Sequence, residues 1–459
     1  MPDLNGRLRW VALATFGYNT GFNAFMCMDY AAISSIAKDA LGTDDAGVNW
    51  LYSGLLLAVL PATVPAAIFT VRAPVATALV GICLNVGGAW LRWLSITTGS
   101  YAIALTSSVI IGFAAAIIIC SYTALAHRLF PADERALATT IAVQCNYFGW
   151  AIGSLMPLIV RDPACVDSSC AGLTSYSTAM LAQAIAVSFA LPLYFVTDGR
   201  ALIAECSPAS KAINANFVPT DAHESGDGGS PRLLLRNAQF WIHAACYSIM
   251  GGISFTIPGI QDQLFTSCLT TVNATNGTGV NGTAVPIAIF GSTQTLWTNF
   301  AFISAGVATG LTIGTFVKDT KKYGIILRLL FVVTSLALSG IAVLANSQVA
   351  GAIDSHTLYT MLVLLMTITG AGSLGFIGLG LRTAVSVSEP VDEAYVGGGV
   401  EWLIQAWGAF LTQISDCNIS FYACAAGAWL VTGLILCAAR FPSHSPDSDD
   451  ELKRPLLLK

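Results

Sequence analysis

A few polar and ionisable side chains interrupt long apolar stretches of this sequence, where such groups are costly and usually functional. Glu401 and Gln405 are four residues apart, so on a helix they share one face. Three glycines at 397–399 precede them and would allow a bend or a close helix contact. A carboxyl group at this place can line a solute pathway and exchange a coupling proton, or it can form a hydrogen bond between two helices.

A second candidate is Asp29, which follows Asn23 by six residues and has Tyr30 beside it. Asp29 can pair with a cationic solute or carry a proton, or it can be a solvated carboxylate at the outer end of a helix. The predicted solute-binding residues are Asn23, Asp29, Tyr30, Gln144, Tyr147, Phe255, Glu401 and Gln405. Two other ionisable residues receive structural predictions: Arg92 is expected to extend to the outer surface, and His243 to be a satisfied interface histidine rather than a haem ligand.

The composition defines the elements that must position these residues. Among 459 residues, 55% are hydrophobic and 10% are charged, against about 25% charged in soluble domains. This composition excludes a soluble enzyme, a nucleic-acid binder and a disordered chain, and it predicts an all-α membrane protein in a lipid bilayer. The sequence shows no nucleophile–base pair and no Cys/His cluster, so no enzymatic activity, metal or cofactor is expected.

Twelve stretches are long and apolar enough to cross a bilayer as helices. They lie near 10–36, 48–70, 75–97, 101–126, 136–160, 176–197, 237–262, 287–317, 324–346, 356–381, 394–414 and 419–439. The chain therefore divides into an N-terminal six-helix bundle (1–197), a polar cytoplasmic linker (198–236), a C-terminal six-helix bundle (237–440) and a cytoplasmic tail (441–459).

The distribution of basic residues predicts the orientation. With both termini in the cytoplasm, 18 of the 21 Lys and Arg residues fall on the cytoplasmic side, as the positive-inside rule expects. Glycosylation sequons at Asn273, Asn276 and Asn281 then lie outside. Near the outer loops, Cys165, Cys170, Cys268 and Cys417 allow three disulfide pairings. We expect the protein to lie in the plasma membrane. An endosomal or lysosomal membrane is the alternative, because the tail resembles an acidic dileucine sorting signal.

Two loops at the predicted cytoplasmic face carry charges suited to gating. Lys318, Asp319 and Lys321 follow Gly314 in a pattern that resembles the Gly-x-x-x-Asp-[Arg/Lys] loop of the major facilitator superfamily. They predict a latch in which a carboxylate faces basic groups and a helix dipole, or an ordinary charged turn. Asp133 and Arg135 open the fifth span, either as gating residues or as helix caps.

Several motifs resemble one branch of that superfamily, the transporters related to the feline leukaemia virus subgroup C receptor. The resemblance rests on Asn23-Ala-Phe25, Asn49-Trp50-Leu51, Gly81-Ile-Cys-Leu-Asn85, Gly88-Ala-Trp-Leu-Arg92 and the run from Phe130 to Ala142. It implies two six-helix bundles in the major facilitator fold and transport of haem, choline or ethanolamine, or a vitamin such as pyridoxine.

The same resemblance implies an aromatic box around a quaternary ammonium group in the choline-handling members. Where those proteins have a Trp in the first span, this chain has Cys27, and where they have a Tyr in the seventh it has Phe255. A glutamine of the fifth span is replaced by Tyr147, whereas the glutamine of the eleventh is kept as Gln405. Loss of the Trp predicts a weaker cation–π cage.

Together these observations predict a multi-pass transporter that moves a small organic solute by alternating access, with a proton as the candidate coupling ion. The alternative is a membrane receptor or nutrient sensor that keeps the transporter fold and has lost flux.

Overall fold

The computed structural model describes residues 2–130, 132–160, 173–196, 231–266, 292–317, 322–345, 349, 353–389, 391–415 and 420–441. The predicted glycosylation residues Asn273, Asn276 and Asn281, the predicted latch residues Lys318, Asp319 and Lys321, and the four cysteines of the outer loops lie outside these ranges. Asp133 and Arg135 lie in a described helix, but their side chains are outside what the structure describes.

Each predicted span coincides with a long helix, and the described residues form no strand. The helices are α1 (Pro2–Met28), α2 (Asp45–Arg72), α3 (Pro74–Thr98), α4 (Tyr101–Leu129), α5 (Ala132–Gly153), α6 (Tyr176–Val196), α7 (Ala238–Thr266), α8 (Ser292–Phe316), α9 (Tyr323–Leu344), α10 (Ser355–Ser386), α11 (Glu393–Ile414) and α12 (Ser420–Ala438). A turn at residues 374–376 divides α10, and short helices cover Ser34–Leu41, Met156–Ile159 and Pro231–Arg236.

Nine of the twelve helices have the length and the apolar composition of a membrane span within the described residues. The other three long helices, α1, α5 and α11, are not among these nine. Between them these three helices carry Asn23, Gln144, Tyr147, Glu401 and Gln405. These three helices therefore hold five of the eight predicted solute-binding residues.

The first helix ends earlier than its apolar run predicts. The run extends to residue 36, but α1 stops at Met28 and a 3-10 turn follows at Ala31–Ile33. At the break Asp29 pairs with Arg92 of α3 and accepts a hydrogen bond from Gln183 of α6. Hydropathy alone does not locate such an end, because the break depends on partners that are distant in sequence.

Helix contacts repeat in the two halves of the chain. In the first half α1 packs on α5, α2 on α4, and α3 on α4 and α6; in the second, α7 packs on α11, α8 on α10, and α9 on α10 and α12. The halves meet where α2 contacts α11 and where α5 contacts α8, and α11 also reaches α4. Side chains on α4, α5, α7 and α11 are thereby brought toward the junction of the halves.

One end of the bundle is rich in arginine and is called the basic end below. It carries Arg9, Arg72 at the end of α2, Arg128 near the end of α4, and Arg440 just after α12. Arg9 forms a salt bridge of 2.8 Å with Glu134 at the start of α5, and Arg128 donates to the carbonyl oxygen of Val71 at 3.2 Å. These contacts join neighbouring helix ends of the first half.

Candidate functional site

One face of α11 is turned toward the first half of the chain. A methyl group added at Gly397 would lie 3.2 Å from Oγ1 of Thr123, and one at Gly398 would lie 2.9 Å from Sγ of Cys120, both on α4. Two to three turns further along, a methyl group at Gly408 would lie 3.4 Å from Leu56 of α2. Glu401 lies between these glycines, and 2% of its surface is exposed. The helix therefore presents a carboxyl group to the junction of the two halves.

Glu401 has no hydrogen-bond or ion-pair partner among the residues that the structure describes. Its electrostatic neighbours are Cys120, Tyr122 and Tyr147, none of which is basic. A buried carboxylate without a counter-charge is strongly disfavoured. The group is therefore suited to hold a proton or to receive a cation at this place.

Three aromatic rings from both halves surround the same junction. Tyr147 and Trp150 of α5 lie with ring centroids 5.8 Å apart, and Phe255 of α7 lies 6.2 Å from Tyr147 and 4.6 Å from Trp150. All three side chains are buried, and Tyr52 of α2 donates a hydrogen bond of 2.7 Å to the carbonyl oxygen of Phe255. Aromatic faces near a buried carboxylate are the components of a cation–π site.

Trp150 is the residue of this cluster that the predicted set omits. It follows Tyr147 by three residues and so lies on the same helical face, a spacing visible in the sequence. The contact with Phe255 joins two spans separated by a hundred residues, and the sequence does not specify it.

Buried glutamine side chains on α5, α7 and α11 have polar atoms without a hydrogen-bond partner in the described structure. Both side-chain polar atoms of Gln144 and Oε1 of Gln405 are buried without a hydrogen-bond partner in the described structure. Gln144 packs directly on α8, where a methyl group at Gly310 would lie 1.9 Å from its Nε2. On α7, Gln261 has the same two unpartnered atoms. Buried polar atoms of this kind usually await a water molecule or a ligand.

Asp29 and Tyr30 lie in a separate polar cluster of the first half. Arg92 of α3 pairs with Asp29, donates to Ser108 of α4 at 3.1 Å, and places its guanidinium 4.3 Å from the centre of the Tyr30 ring. The expectation that Arg92 extends to the outer surface is wrong, because only 1% of the residue is exposed. The carboxylate at the end of α1 supplies a buried partner that makes this position tolerable.

Asn23 also contacts side chains within the first half. Its Nδ2 donates to Oδ1 of Asn85 at 2.7 Å and to the carbonyl oxygen of Ile111 at 3.1 Å, and Asn85 in turn donates to Asn19 at 2.9 Å. The structure therefore brings Gln144, Tyr147, Phe255, Glu401 and Gln405 to the junction of the halves, while Asn23, Asp29 and Tyr30 contact α3, α4 and α6.

The prediction for His243 is confirmed. Its Nδ1 lies 2.8 Å from the hydroxyl of Tyr247, and its Nε2 lies 2.8 Å from the carbonyl oxygen of Arg440. Both ring nitrogens are therefore satisfied within the second half. Among the residues that the structure describes, no three His, Cys, Asp or Glu side chains form a group able to hold a metal ion.

The two halves also meet at the basic end. Thr123 of α4 donates to the carbonyl oxygen of Glu393 at 3.2 Å, and a cavity of about 310 Å³ lies beside this contact. Arg128 on one side of the cavity and Glu389, Asp392 and Glu393 on the other give it opposite charges across the junction.

Comparisons with known proteins find similar sequences among membrane transporters. No protein-family profile matches the sequence. The chain is 25% identical over 457 residues to the choline/ethanolamine transporter FLVCR1 of Mus musculus, covering 94% of this chain and 74% of that protein. It is 23% identical to an uncharacterised transporter of major facilitator type from Caenorhabditis elegans, covering 89% of this chain and 64% of that protein.

Among solved structures, the chain is similar to the major facilitator transporter FucP in its outward conformation. The TM-score is 0.57 at 13% identity, and the match covers 94% of this chain and 99% of FucP. At this identity the likeness concerns the fold alone. It confirms the predicted class of two six-helix bundles.

Proposed function

Taking this chain as an FLVCR-like membrane transporter with the major facilitator fold, we propose that its solute is a small organic cation of the choline and ethanolamine class. We propose further that it moves the solute by alternating access and catalyses no chemical reaction. The predicted solutes also included haem and vitamin-like compounds, and the chemistry of the junction between the halves favours the amines.

The unpaired Glu401 carboxyl group is the observation that carries the proposal. A solute ammonium group would supply the counter-charge that the described protein lacks at this point. Haem carries two carboxylate groups, so placing it against Glu401 would add like charge to a buried site. The relative from mouse is named a choline/ethanolamine transporter, which agrees with a cationic solute.

The aromatic cluster supplies the second part of the site. Tyr147, Trp150 and Phe255 pack edge to face on one another, and we propose that their ring faces receive the methyl groups of a quaternary nitrogen when the halves part. Trp150 on α5 thereby provides the indole that the choline-handling relatives carry in the first span, where this chain has Cys27. Gln144 and Gln405 have free polar atoms for a solute hydroxyl group.

Alternating access would open and close the contact between Thr123 and the carbonyl oxygen of Glu393 at the basic end. We propose that the basic end faces the cytoplasm, as the positive-inside rule predicts, and that both termini lie there, most simply in the plasma membrane. When no solute is bound, a proton on Glu401 would neutralise the site. Proton coupling is therefore part of the proposal, and the solute and the proton would compete for one carboxylate.

Uptake of labelled choline and ethanolamine into proteoliposomes containing the full chain tests this proposal. Glu401→Gln keeps the shape of the side chain and removes its charge, so we expect uptake to fall about tenfold or more. Asp39→Asn is the matched control, since Asp39 is an exposed acid of the short helix Ser34–Leu41, away from the junction of the halves. Equal uptake by the wild type and by Glu401→Gln would refute the assigned site. Choline-dependent thermal stabilisation without any uptake would favour the receptor alternative.

A further inference from the structure

An apolar groove lies at the surface between the two halves, near the basic end. It has a volume of about 350 Å³ and is formed by α2, α7, α11 and the short helix Pro231–Arg236. Its walls include Val64, Ala67, Leu235, Trp241, Gly399 and Trp402. Val64, Leu235, Trp241 and Trp402 are also exposed on the outside of the bundle, so the groove opens toward the hydrocarbon phase.

The groove bridges the halves next to a direct contact. Trp402 of α11 donates a hydrogen bond of 2.9 Å from Nε1 to the carbonyl oxygen of Leu60 on α2. Gly398 lines the groove and also faces α4, and Glu401 follows it by three residues. An occupant of the groove would therefore touch both halves beside the helix that carries the candidate site.

Two exposed arginines, Arg72 and Arg236, closely follow lining residues of the groove in the sequence. Arg72 ends α2 and follows the lining residue Ile68 by four residues, so it lies one turn further along the same face. Arg236 directly follows the lining residue Leu235. The nearby acids Glu389, Asp392 and Glu393 line the other cavity, with Arg128. One arginine of α2 and one of the short helix therefore each lie within a turn of a lining residue, on the side of the basic end.

We propose that this groove binds one anionic glycerophospholipid, with an acyl chain against the apolar walls and the phosphate group at Arg72 and Arg236. The short helix has three leucines between Arg232 and Arg236, a composition typical of a segment at a membrane surface. Anionic lipids are attracted to such arginines, whereas a neutral lipid offers only its chain. A lipid bound here stabilises this arrangement of the two halves.

Thermal unfolding of the purified full chain in detergent micelles tests the proposal. The additions are phosphatidylserine, phosphatidylcholine with the same acyl chains, and glycerol 3-phosphate without chains. Phosphatidylserine should raise Tm by several degrees, phosphatidylcholine by less, and glycerol 3-phosphate not at all, because a ligand stabilises only in proportion to its binding. Micelles have no sides, so neither the proposed orientation nor solute uptake enters the result.

Two pairs of variants locate the binding. A methyl group at Gly399 would have its nearest neighbours at 3.6 Å and 4.0 Å, so Gly399→Leu fills the groove without displacing backbone. Gly427→Leu is the matched control on α12, where no atom lies within 4 Å of an added methyl group. Gly399→Leu should lose the stabilisation by both lipids, and Gly427→Leu should keep it.

The second pair concerns the headgroup. Arg72→Gln together with Arg236→Gln should reduce the phosphatidylserine effect to that of phosphatidylcholine, while Lys322→Gln, an exposed base elsewhere, should not. Equal shifts with the two lipids in the wild type, or shifts that survive in Gly399→Leu, would overturn the proposal. If Gly399→Leu lowers Tm and neither lipid stabilises the wild type, the groove holds a segment of this chain instead.

Discussion

At the scale of single residues, the two carboxyl groups that are buried in the described structure have opposite surroundings. Asp29 has an arginine and a glutamine as partners, whereas Glu401 has none among the described residues. The protein itself supplies the counter-charge of Asp29, so this carboxylate has no charge left to balance with a solute. The charge of Glu401 is unbalanced until a proton or a cation binds to it. We therefore expect the transport function at Glu401 rather than at Asp29.

Trp150 should matter more for choline than for ethanolamine. Trp150→Leu removes the indole next to Phe255, and a cation–π contact in a desolvated site is worth about 2 kcal/mol, or about thirtyfold in affinity. We expect the KM for choline to rise by about that factor, and the KM for ethanolamine to rise less because a primary ammonium group relies on hydrogen bonds. Uptake kinetics for both solutes measure the difference.

The control for this variant is Trp297→Leu, which removes an exposed indole from α8. It should leave both KM values unchanged. A Trp150→Leu protein with an equal change for choline and for ethanolamine would contradict a cation–π role and leave only a packing role.

The Asp29–Arg92 pair should behave as a structural pair. Asp29→Asn leaves the buried guanidinium without a counter-charge, and loss of one partner of a buried pair costs about 3–5 kcal/mol of stability. We expect a large drop in Tm for Asp29→Asn, measured by unfolding of the purified protein. The double variant Asp29→Leu, Arg92→Met removes both charges and should recover most of the loss. A fully stable Asp29→Asn protein would argue that Asp29 is protonated and available for transport.

At the scale of elements, close contacts between helices depend on glycine in both halves of the chain. A methyl group at Gly149 of α5 would lie 2.0 Å from the carbonyl oxygen of Gly21 on α1, and one at Gly370 of α10 would lie 1.8 Å from that of Phe302 on α8. Backbone atoms cannot rotate away as a side chain can. Small residues of this kind are what bring membrane helices together.

Gly149→Ala and Gly370→Ala should therefore each destabilise the protein by about 1–3 kcal/mol, the usual cost of overpacking. Gly87→Ala on α3 is the control, since no atom lies within 4 Å of the added methyl group. Thermal unfolding of the three purified variants measures the effect. Tm values equal to that of the wild type for all three variants would show that the α1–α5 and α8–α10 pairs can move apart without loss of stability.

The elements themselves could be predicted from sequence because long apolar runs are sufficient to define membrane helices. The ends of the helices could not be predicted in this way. For example, α1 ends at Met28, next to the pair formed by Asp29 and Arg92. The two site residues on α11 could be predicted from the sequence, because Glu401 and Gln405 are four residues apart and follow three glycines. The aromatic cluster required the structure, because Trp150 and Phe255 meet only when α5 and α7 converge.

At the scale of the whole molecule, the repeated helix contacts imply that each half moves as a body. The α1–α5 contact recurs as α7–α11, and the α2–α4 contact recurs as α8–α10, whereas the two halves meet through fewer helix pairs. Rocking of one half against the other would therefore break contacts along α2–α11 and α5–α8 while leaving each half intact. Residues that join the halves far from Glu401 should control transport without touching the solute.

Ser53 of α2 and Gln413 of α11 provide such a contact at the end of the bundle opposite the basic end. Nε2 of Gln413 donates to Oγ of Ser53 at 2.5 Å. In a Ser53→Cys, Gln413→Cys protein, a short bifunctional thiosulfonate reagent should join the halves and abolish choline uptake, because the halves can no longer separate at this end. Reductant should restore uptake by releasing the link. Each single cysteine variant, treated alike, is the control for the native thiols, and uptake that persists in the linked protein would mean that transport does not require the halves to part there.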